Sequence, residues 1–116
     1  MLITEYLSIN LSNNVRDLKC NISYDENNDK LSYAGETHNL TYRVNLIMVY
    51  TKYLLHTEDS KLTNTITGLR NVCDELLKYF TDGKSDMPAK DIERNLADSL
   101  LGLDEYLCDV SPNILT

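Results

Sequence analysis

The chain has 116 residues, of which 42% are hydrophobic and 25% are charged, with a net charge of −7 and a pI near 4.6. This length and composition predict one folded domain over residues 1–116 that buries its own core, and they exclude a disordered polar chain. The acidic balance disfavours direct binding to nucleic acid or to an anionic membrane, because both need a basic surface. A basic protein is the partner that this charge favours.

The N-terminal residues and the cysteines predict a cytoplasmic protein. Residues 1–12 lack the positive and apolar regions of a secretory signal. Cys20, Cys73 and Cys108 are far apart and odd in number, which is typical of free thiols in a reducing compartment. Twelve asparagines against three alanines indicate an AT-rich coding sequence, as in low-GC bacteria and their phages. For a phage-encoded protein, the compartment would be the host cytoplasm.

The first third of the chain predicts an antiparallel β-meander of about three strands. Apolar and polar residues alternate from Leu7 to Leu11, which is the period of a half-buried strand. A second alternation runs from Leu18 to Tyr24, and a third resumes at Leu31 and Tyr33 after the polar turn Asp25–Asp29. The second and third strands would form a hairpin.

The longest apolar-rich run is Leu40–Leu55, whose only charged residues are Arg43 and Lys52. It is shorter and more polar than the roughly 20 apolar residues that span a bilayer, so it predicts a core element. A single strand over this run would be about three times the usual length. We therefore favour a helix that is packed centrally and buried on most sides, with Thr37 or Asn39 as its N-cap. The alternative is a strand from Leu40 to about Tyr50.

A helix is predicted from Leu62 to Phe80. Its apolar residues recur at steps of four and three, as on one face of an amphipathic helix. Thr57 or Ser60 is its predicted N-cap, and Glu58 and Asp59 suit the positive end of the helix dipole. Gly83 is suited to the left-handed conformation that ends helices.

A last helix is predicted to begin near Ser85 or Asp86, with Pro88 in its first turn, and to end at Pro112. One side of it forms a leucine stripe, made of Ile92, Leu96, Leu100, Leu103, Leu107 and Val110. Strands that precede helices, rather than alternate with them, predict an α+β fold of about three strands followed by about three α-helices.

The hairpin turn resembles a calcium-binding loop in its spacing alone. Asp25, Asn27, Asp29 and Glu36 match four ligand positions of an EF-hand. The position that requires glycine holds Lys30, whose charge also opposes a cation, and the flanking segments read as strands. We therefore predict a solvated turn and no metal site.

The remaining reactive side chains do not form a catalytic pattern. His38 and His56 lie 18 residues apart, outside any metal-ligand spacing. Cys73 lies on the apolar side of its helix, and the neighbouring Asp74 and Glu75 disfavour a thiolate. The sequence has neither a glycine-rich phosphate loop nor a GxSxG motif. We predict that the protein is not an enzyme and takes no cofactor.

The strongest asymmetry is the charge of the last helix. Residues 86–109 carry seven acidic and two basic side chains, a net charge of −5, against −2 for the rest of the chain. The acids Asp91, Asp98, Glu105 and Asp109 lie near one line opposite the leucine stripe. Gly102 interrupts this face, and its missing side chain would let a partner or another helix approach. This face is either an ordinary solvated surface or a docking surface for a Lys/Arg-rich protein.

These features predict a small acidic protein-binding module, an inhibitor or adaptor that occludes a basic surface of a partner protein. Phages and mobile elements carry small acidic proteins of this general class, as anti-defence or immunity proteins. The predicted partner-binding residues are Asp91, Asp98, Glu105 and Asp109. The alternative is a homo-oligomeric structural or assembly protein, a homodimer in the simplest case, that associates through the Leu62 helix and the tyrosine-rich strands.

Overall fold

The computed structural model describes residues 3–110, which form four α-helices and one β-hairpin. In chain order the elements are α1 (Ile3–Cys20), β1 (Ile22–Asp25), β2 (Lys30–Tyr33), α2 (Thr37–Leu54), α3 (Ser60–Leu77) and α4 (Ala89–Val110). Each helix packs against its neighbours in sequence, and α4 returns to pack against α1. The helices therefore form a four-membered bundle, and the hairpin contacts α1 and α4.

Helices and an antiparallel sheet are both present, as expected of an α+β chain, but the predicted count of about three strands and about three helices is not matched. The predicted strand Leu7–Leu11 is wrong, because these residues lie inside α1. Most of the predicted strand Leu18–Tyr24 is also not strand: α1 continues to Cys20, and β1 begins at Ile22.

The spacing of apolar residues in α1 is compatible with a helix as well as with a strand. Leu11, Val15 and Leu18 follow helical spacing and are fully buried. The side-chain amides of Asn10 and Asn14 donate to backbone carbonyls four residues earlier, at 2.9 and 2.8 Å. The polar residues of this segment are thus accommodated within the helix, and packing of its apolar face decides the conformation.

The predicted hairpin is confirmed. Antiparallel pairing joins Ile22 to Tyr33 and Asp25 to Lys30. Asp29 closes the turn with a φ of 51°, a left-handed conformation that aspartate tolerates better than most residues.

The run Leu40–Leu55 is helical in α2, so the alternative strand is wrong. The predicted N-caps are also wrong: Glu36 occupies that position and makes no side-chain capping bond. The helix is not central, because its main contacts are with α1 and α3, whereas α4 packs against α1, α3 and both strands. Nor is it buried on most sides, since Tyr42 and Tyr53 are 71% and 65% exposed.

The predicted helix from Leu62 onward is confirmed as α3, which a π-helical turn (Lys78–Asp82) extends. Its N-cap is Asp59, whose carboxylate accepts the Leu62 N–H at 2.9 Å, rather than the predicted Thr57 or Ser60. Gly83 ends the π turn with a φ of 67°, as predicted.

The π turn also attaches the hairpin. The Tyr79 hydroxyl oxygen accepts the backbone N–H of Leu31 in β2 at 2.9 Å. The Tyr79 ring packs edge-on against Phe80, with 5.0 Å between centroids. The hydrogen bond to the Tyr79 hydroxyl joins the π turn to β2.

The last helix begins later than predicted. Residues Ser85 and Asp86 precede it in a loop, and the helix starts at Ala89. Pro88 lies just before the first turn, and its carbonyl accepts the N–H groups of Asp91 and Ile92 at 2.9 and 3.0 Å. The predicted end at Pro112 lies outside the described residues.

Candidate functional site

Two acidic residues of α4 are engaged by basic side chains of the chain itself. Asp104 faces α1, where it accepts the Ser12 hydroxyl at 2.8 Å, and both of its carboxylate oxygens accept from Nη2 of Arg16 at 3.0 Å. Asp91 pairs with Arg94 at 2.7 Å. Asp91 is therefore partly neutralised, which weakens its predicted role in partner binding.

The other three predicted residues border a groove between α3 and α4. Two adjoining cavities of about 410 and about 260 Å³ form this groove. Its lining residues are Asp59, Lys61, Asn64, Thr65, Gly68 and Asn71 from the α3 side, and Met87, Asn95, Asp98, Ser99, Gly102, Glu105, Tyr106 and Asp109 from the α4 side. Asp98 borders the larger cavity, and Glu105 and Asp109 border the smaller one. All three are exposed.

The charge of this α3–α4 groove is negative. Four carboxylates line it, and Lys61 is the one basic residue among the lining side chains. The fourth carboxylate is Asp59, which the sequence indicated only as a favourable residue near the start of a helix. Burial, and then the charges of Asp59 and Glu5, raise the pKa of Tyr106 above its ordinary value. The phenol therefore stays neutral at pH 7 and supplies a hydroxyl at the groove.

Three asparagines among the lining residues give the groove polar groups that the sequence analysis did not identify. Asn64 and Asn71 lie seven residues apart on α3, and Asn95 faces them from α4. The Asn95 amide donates to the Met87 sulfur at 3.2 Å. Each amide supplies both a donor and an acceptor, so the groove can hydrogen-bond groups of either kind. In the sequence, the seven-residue spacing of Asn64 and Asn71 was the signal that both lie on one side of the helix.

The sequence predicted that Gly102 would admit either a partner or another helix. In the structure, another helix approaches it. A Cβ atom at this position would lie 2.6 Å from Oγ1 and 2.9 Å from Cγ2 of Thr65 on α3. The missing side chain is thus filled by Thr65, and the close approach of the two helices fixes the floor of the groove.

A second polar cluster closes the loop between α3 and α4 and was also missed. One carboxylate oxygen of Glu75 accepts the Ser85 hydroxyl at 2.7 Å and the N–H groups of Asp86 and Met87 at 2.8 and 3.1 Å. Lys78 approaches the other oxygen at 3.4 Å. The Ser85 hydrogen bond, then the two backbone N–H groups and the Lys78 charge, hold the Glu75 pKa below its ordinary 4.5.

We expect Glu75→Gln to destabilise the protein at neutral pH and to reduce its pH dependence. Because folding lowers the Glu75 pKa, the carboxylate stabilises the fold above pH 4.5 and loses this effect as the pH falls through the folded value. Urea unfolding from neutral to acidic pH should show a difference between wild type and variant that shrinks toward acid. Glu58→Gln, at an exposed site, is the control. A difference that stays constant with pH would contradict the assignment.

Asp25 and Cys73 occupy structural positions. Asp25 accepts the Asn27 N–H and the Asn28 amide at 2.9 and 2.7 Å, so it shapes the turn. Cys73 is fully buried, as predicted, and burial raises the pKa of its thiol to about 12. Cys20 and Cys108 are exposed.

Over residues 3–110, no group of three or more histidine, cysteine, aspartate or glutamate side chains could hold a metal ion. None of the helices in that range is both long and apolar enough to cross a membrane. Comparison of the chain with protein-family models, with curated proteins and with solved structures finds no match.

Proposed function

We propose that the protein is a binding module that occludes a basic surface of a partner protein through the α3–α4 groove. The observation that supports this most is the exposure of Asp98, Glu105 and Asp109 beside one groove. Among the described residues, none of the three has a basic partner within ion-pairing distance, in contrast to Asp91 and Asp104.

The groove has the chemistry to recognise lysine and arginine side chains. Its carboxylates attract cations from a distance and speed association, which is the main effect of charge at an interface. The asparagine amides and the Tyr106 hydroxyl can orient a guanidinium or a peptide group that enters the groove. Part of the affinity should therefore come from these neutral hydrogen bonds, and salt should weaken binding without abolishing it.

A module of this kind acts by covering a surface, without catalysis or a cofactor. Inhibitors and adaptors carried by phages and mobile elements, including anti-defence and immunity proteins, work in this way. We place the protein in this class, acting in the cytoplasm, or in the host cytoplasm for a phage protein. Its small size and its net charge of −7 support the inhibitor role.

The experiment is a pull-down from lysate of the source cell, or of its host, at low and high salt. We expect one basic protein at low salt, with weaker recovery at high salt. Asp98→Lys with Glu105→Lys should abolish recovery while thermal unfolding stays unchanged. Glu36→Lys with Asp74→Lys is the control, since it changes the charge equally at exposed sites outside the groove. Unchanged recovery with the groove variant, or equal loss with the control, would refute the proposal.

Self-association through the predicted Leu62 face is not supported. Leu62, Ile66, Leu69 and Leu76 are at most 1% exposed, because they form the core against the other helices. Tyr24 and Tyr33 of the hairpin pack against the same core. A homo-oligomer would have to use another surface.

A further inference from the structure

The outer side of α2 carries a second apolar stripe. This α2 stripe consists of Tyr42, Leu46, Val49 and Tyr53, which fall within about 60° around a helix that turns 100° per residue. It lies opposite the core face of the same helix, made of Leu40, Val44, Ile47, Thr51 and Leu54. Tyr42, Val49 and Tyr53 are 71%, 53% and 65% exposed. A helix of a monomer ordinarily presents polar residues on that side.

The α2 stripe has the same pattern in both directions along the helix. Tyr42 and Tyr53 lie at its ends, Leu46 and Val49 lie between them, and the spacings are four, three and four residues. In a twofold dimer, the same surface of both copies forms the interface, and if residue i contacts residue j, then j also contacts i. A helix face used in this way must therefore match the same face read in the opposite direction. In an antiparallel pair of α2 helices, tyrosine meets tyrosine and the aliphatic residues meet at the centre.

Charge also favours a second copy at this face. Two chains that each carry −7 repel one another wherever carboxylates meet. Helix α2 contains Arg43 and Lys52 and no acidic residue. Asp17 of α1 pairs with Arg43 at 3.3 Å, at the border of the stripe. Helix α2 therefore brings no carboxylate of its own to a contact with a second copy, and at the border the Asp17 charge is offset by Arg43.

The apolar area suits a weak dimer. Tyr42 and Tyr53 are 71% and 65% exposed. At about 200 Å² for each tyrosine, the two exposed rings offer about 270 Å². A standard interface buries about 800 Å² on each partner, and neighbouring polar residues would supply the rest.

We propose that α2 is a self-association face, on which a second copy of this chain packs antiparallel about a twofold axis. Tyr42 of one copy lies against Tyr53 of the other, and Leu46 lies against Val49. This interface is independent of the α3–α4 groove, so a dimer would present two such grooves.

The first test is sedimentation from about 10 to about 500 µM, the range of weak specific association. Wild-type protein should approach twice the monomer mass, and Val49→Glu should raise the dimer dissociation constant at least about tenfold. Leu101→Glu is the matched control, because Leu101 is an apolar residue of α4 that is 58% exposed. A wild-type monomer throughout, a dimer unaffected by Val49→Glu, or equal dissociation with Leu101→Glu would overturn the proposal.

The second test is disulfide cross-linking under mild oxidation, with the exposed Cys20 and Cys108 replaced by serine. Cross-linked Cα atoms must lie within about 7 Å. In an antiparallel pair, the two Tyr42 positions are about 16 Å apart along the helices, at 1.5 Å per residue. We therefore expect Tyr42→Cys to cross-link with Tyr53→Cys in a mixture, and neither with itself. Efficient self-cross-linking of Tyr42→Cys, or none in the mixture, would refute the antiparallel arrangement.

Discussion

Replacing Gly102 with alanine is expected to destabilise the protein by up to about 2 kcal/mol, although alanine is the better helix former. The new methyl group would lie 2.6 Å from Oγ1 and 2.9 Å from Cγ2 of Thr65. Rotation of the threonine side chain about χ1 cannot relieve both contacts. Only one of the three substituents on its Cβ is a hydrogen, so an oxygen or a methyl group always occupies at least one of the two positions. Overpacking of this kind costs about 1–3 kcal/mol, and helix propensity returns up to about 1 kcal/mol.

Gly68 provides the control for this prediction, because a Cβ there would meet no atom within 4 Å. Gly68→Ala should stabilise α3 by up to about 1 kcal/mol. Urea unfolding of both alanine variants should therefore give shifts of opposite sign. Thr65→Ala should restore much of the stability that Gly102→Ala loses, since it removes both clashing atoms. A stabilised Gly102→Ala variant, or the absence of coupling with Thr65, would contradict the close approach of α3 and α4.

The elements that the sequence predicted correctly are those whose signals are local. The polar turn Asp25–Asp29 interrupts two alternating runs, and α3 has an almost continuous helical spacing that ends at Gly83. Here propensity, pattern and turn chemistry agree. In α1 they disagree: Leu7–Leu11 alternates as in a strand, and Asn10 and Asn14 favour turns. The buried face of Leu11, Val15 and Leu18 decides that conflict through tertiary packing.

The predicted site also has a part that local sequence signals identified and a part that depends on tertiary packing. Helical spacing was sufficient to place Asp98, Glu105 and Asp109 on one side of α4. The sequence could not show that α3 lies beside them, because helix pairing depends on long-range contacts. For that reason the asparagines that line the groove, and the position of Asp59 beside them, were missed. The α2 stripe was visible as apolar residues, but its exposure depends on which side of α2 meets the core.

Asp104→Lys is expected to destabilise the fold by about 2 kcal/mol, because hydrogen bonds to charged groups contribute about 1.5–3 kcal/mol and Asp104 is partly exposed. The change removes the contact with Arg16, leaves the hydroxyl of the buried Ser12 without its acceptor, and sets two positive charges together. Asp98→Lys makes the same change of charge six residues earlier, at an exposed site. It should alter stability by less than about 0.5 kcal/mol.

Urea midpoints of the two variants measure this difference, and Arg16→Ala should lessen the effect of Asp104→Lys by removing the repulsion. Equal midpoints for Asp104→Lys and Asp98→Lys would show that the contact between α1 and α4 contributes nothing measurable. The two residues also separate fold from function. If Asp104→Lys reduces partner recovery, the reduction in recovery should match the reduction in folded protein. Asp98→Lys with Glu105→Lys should instead reduce recovery while the protein stays folded. Under the proposed function, the acidic residues of α4 therefore have two roles: Asp104 joins α1 to the bundle, and Asp98 and Glu105 bind the partner at the groove.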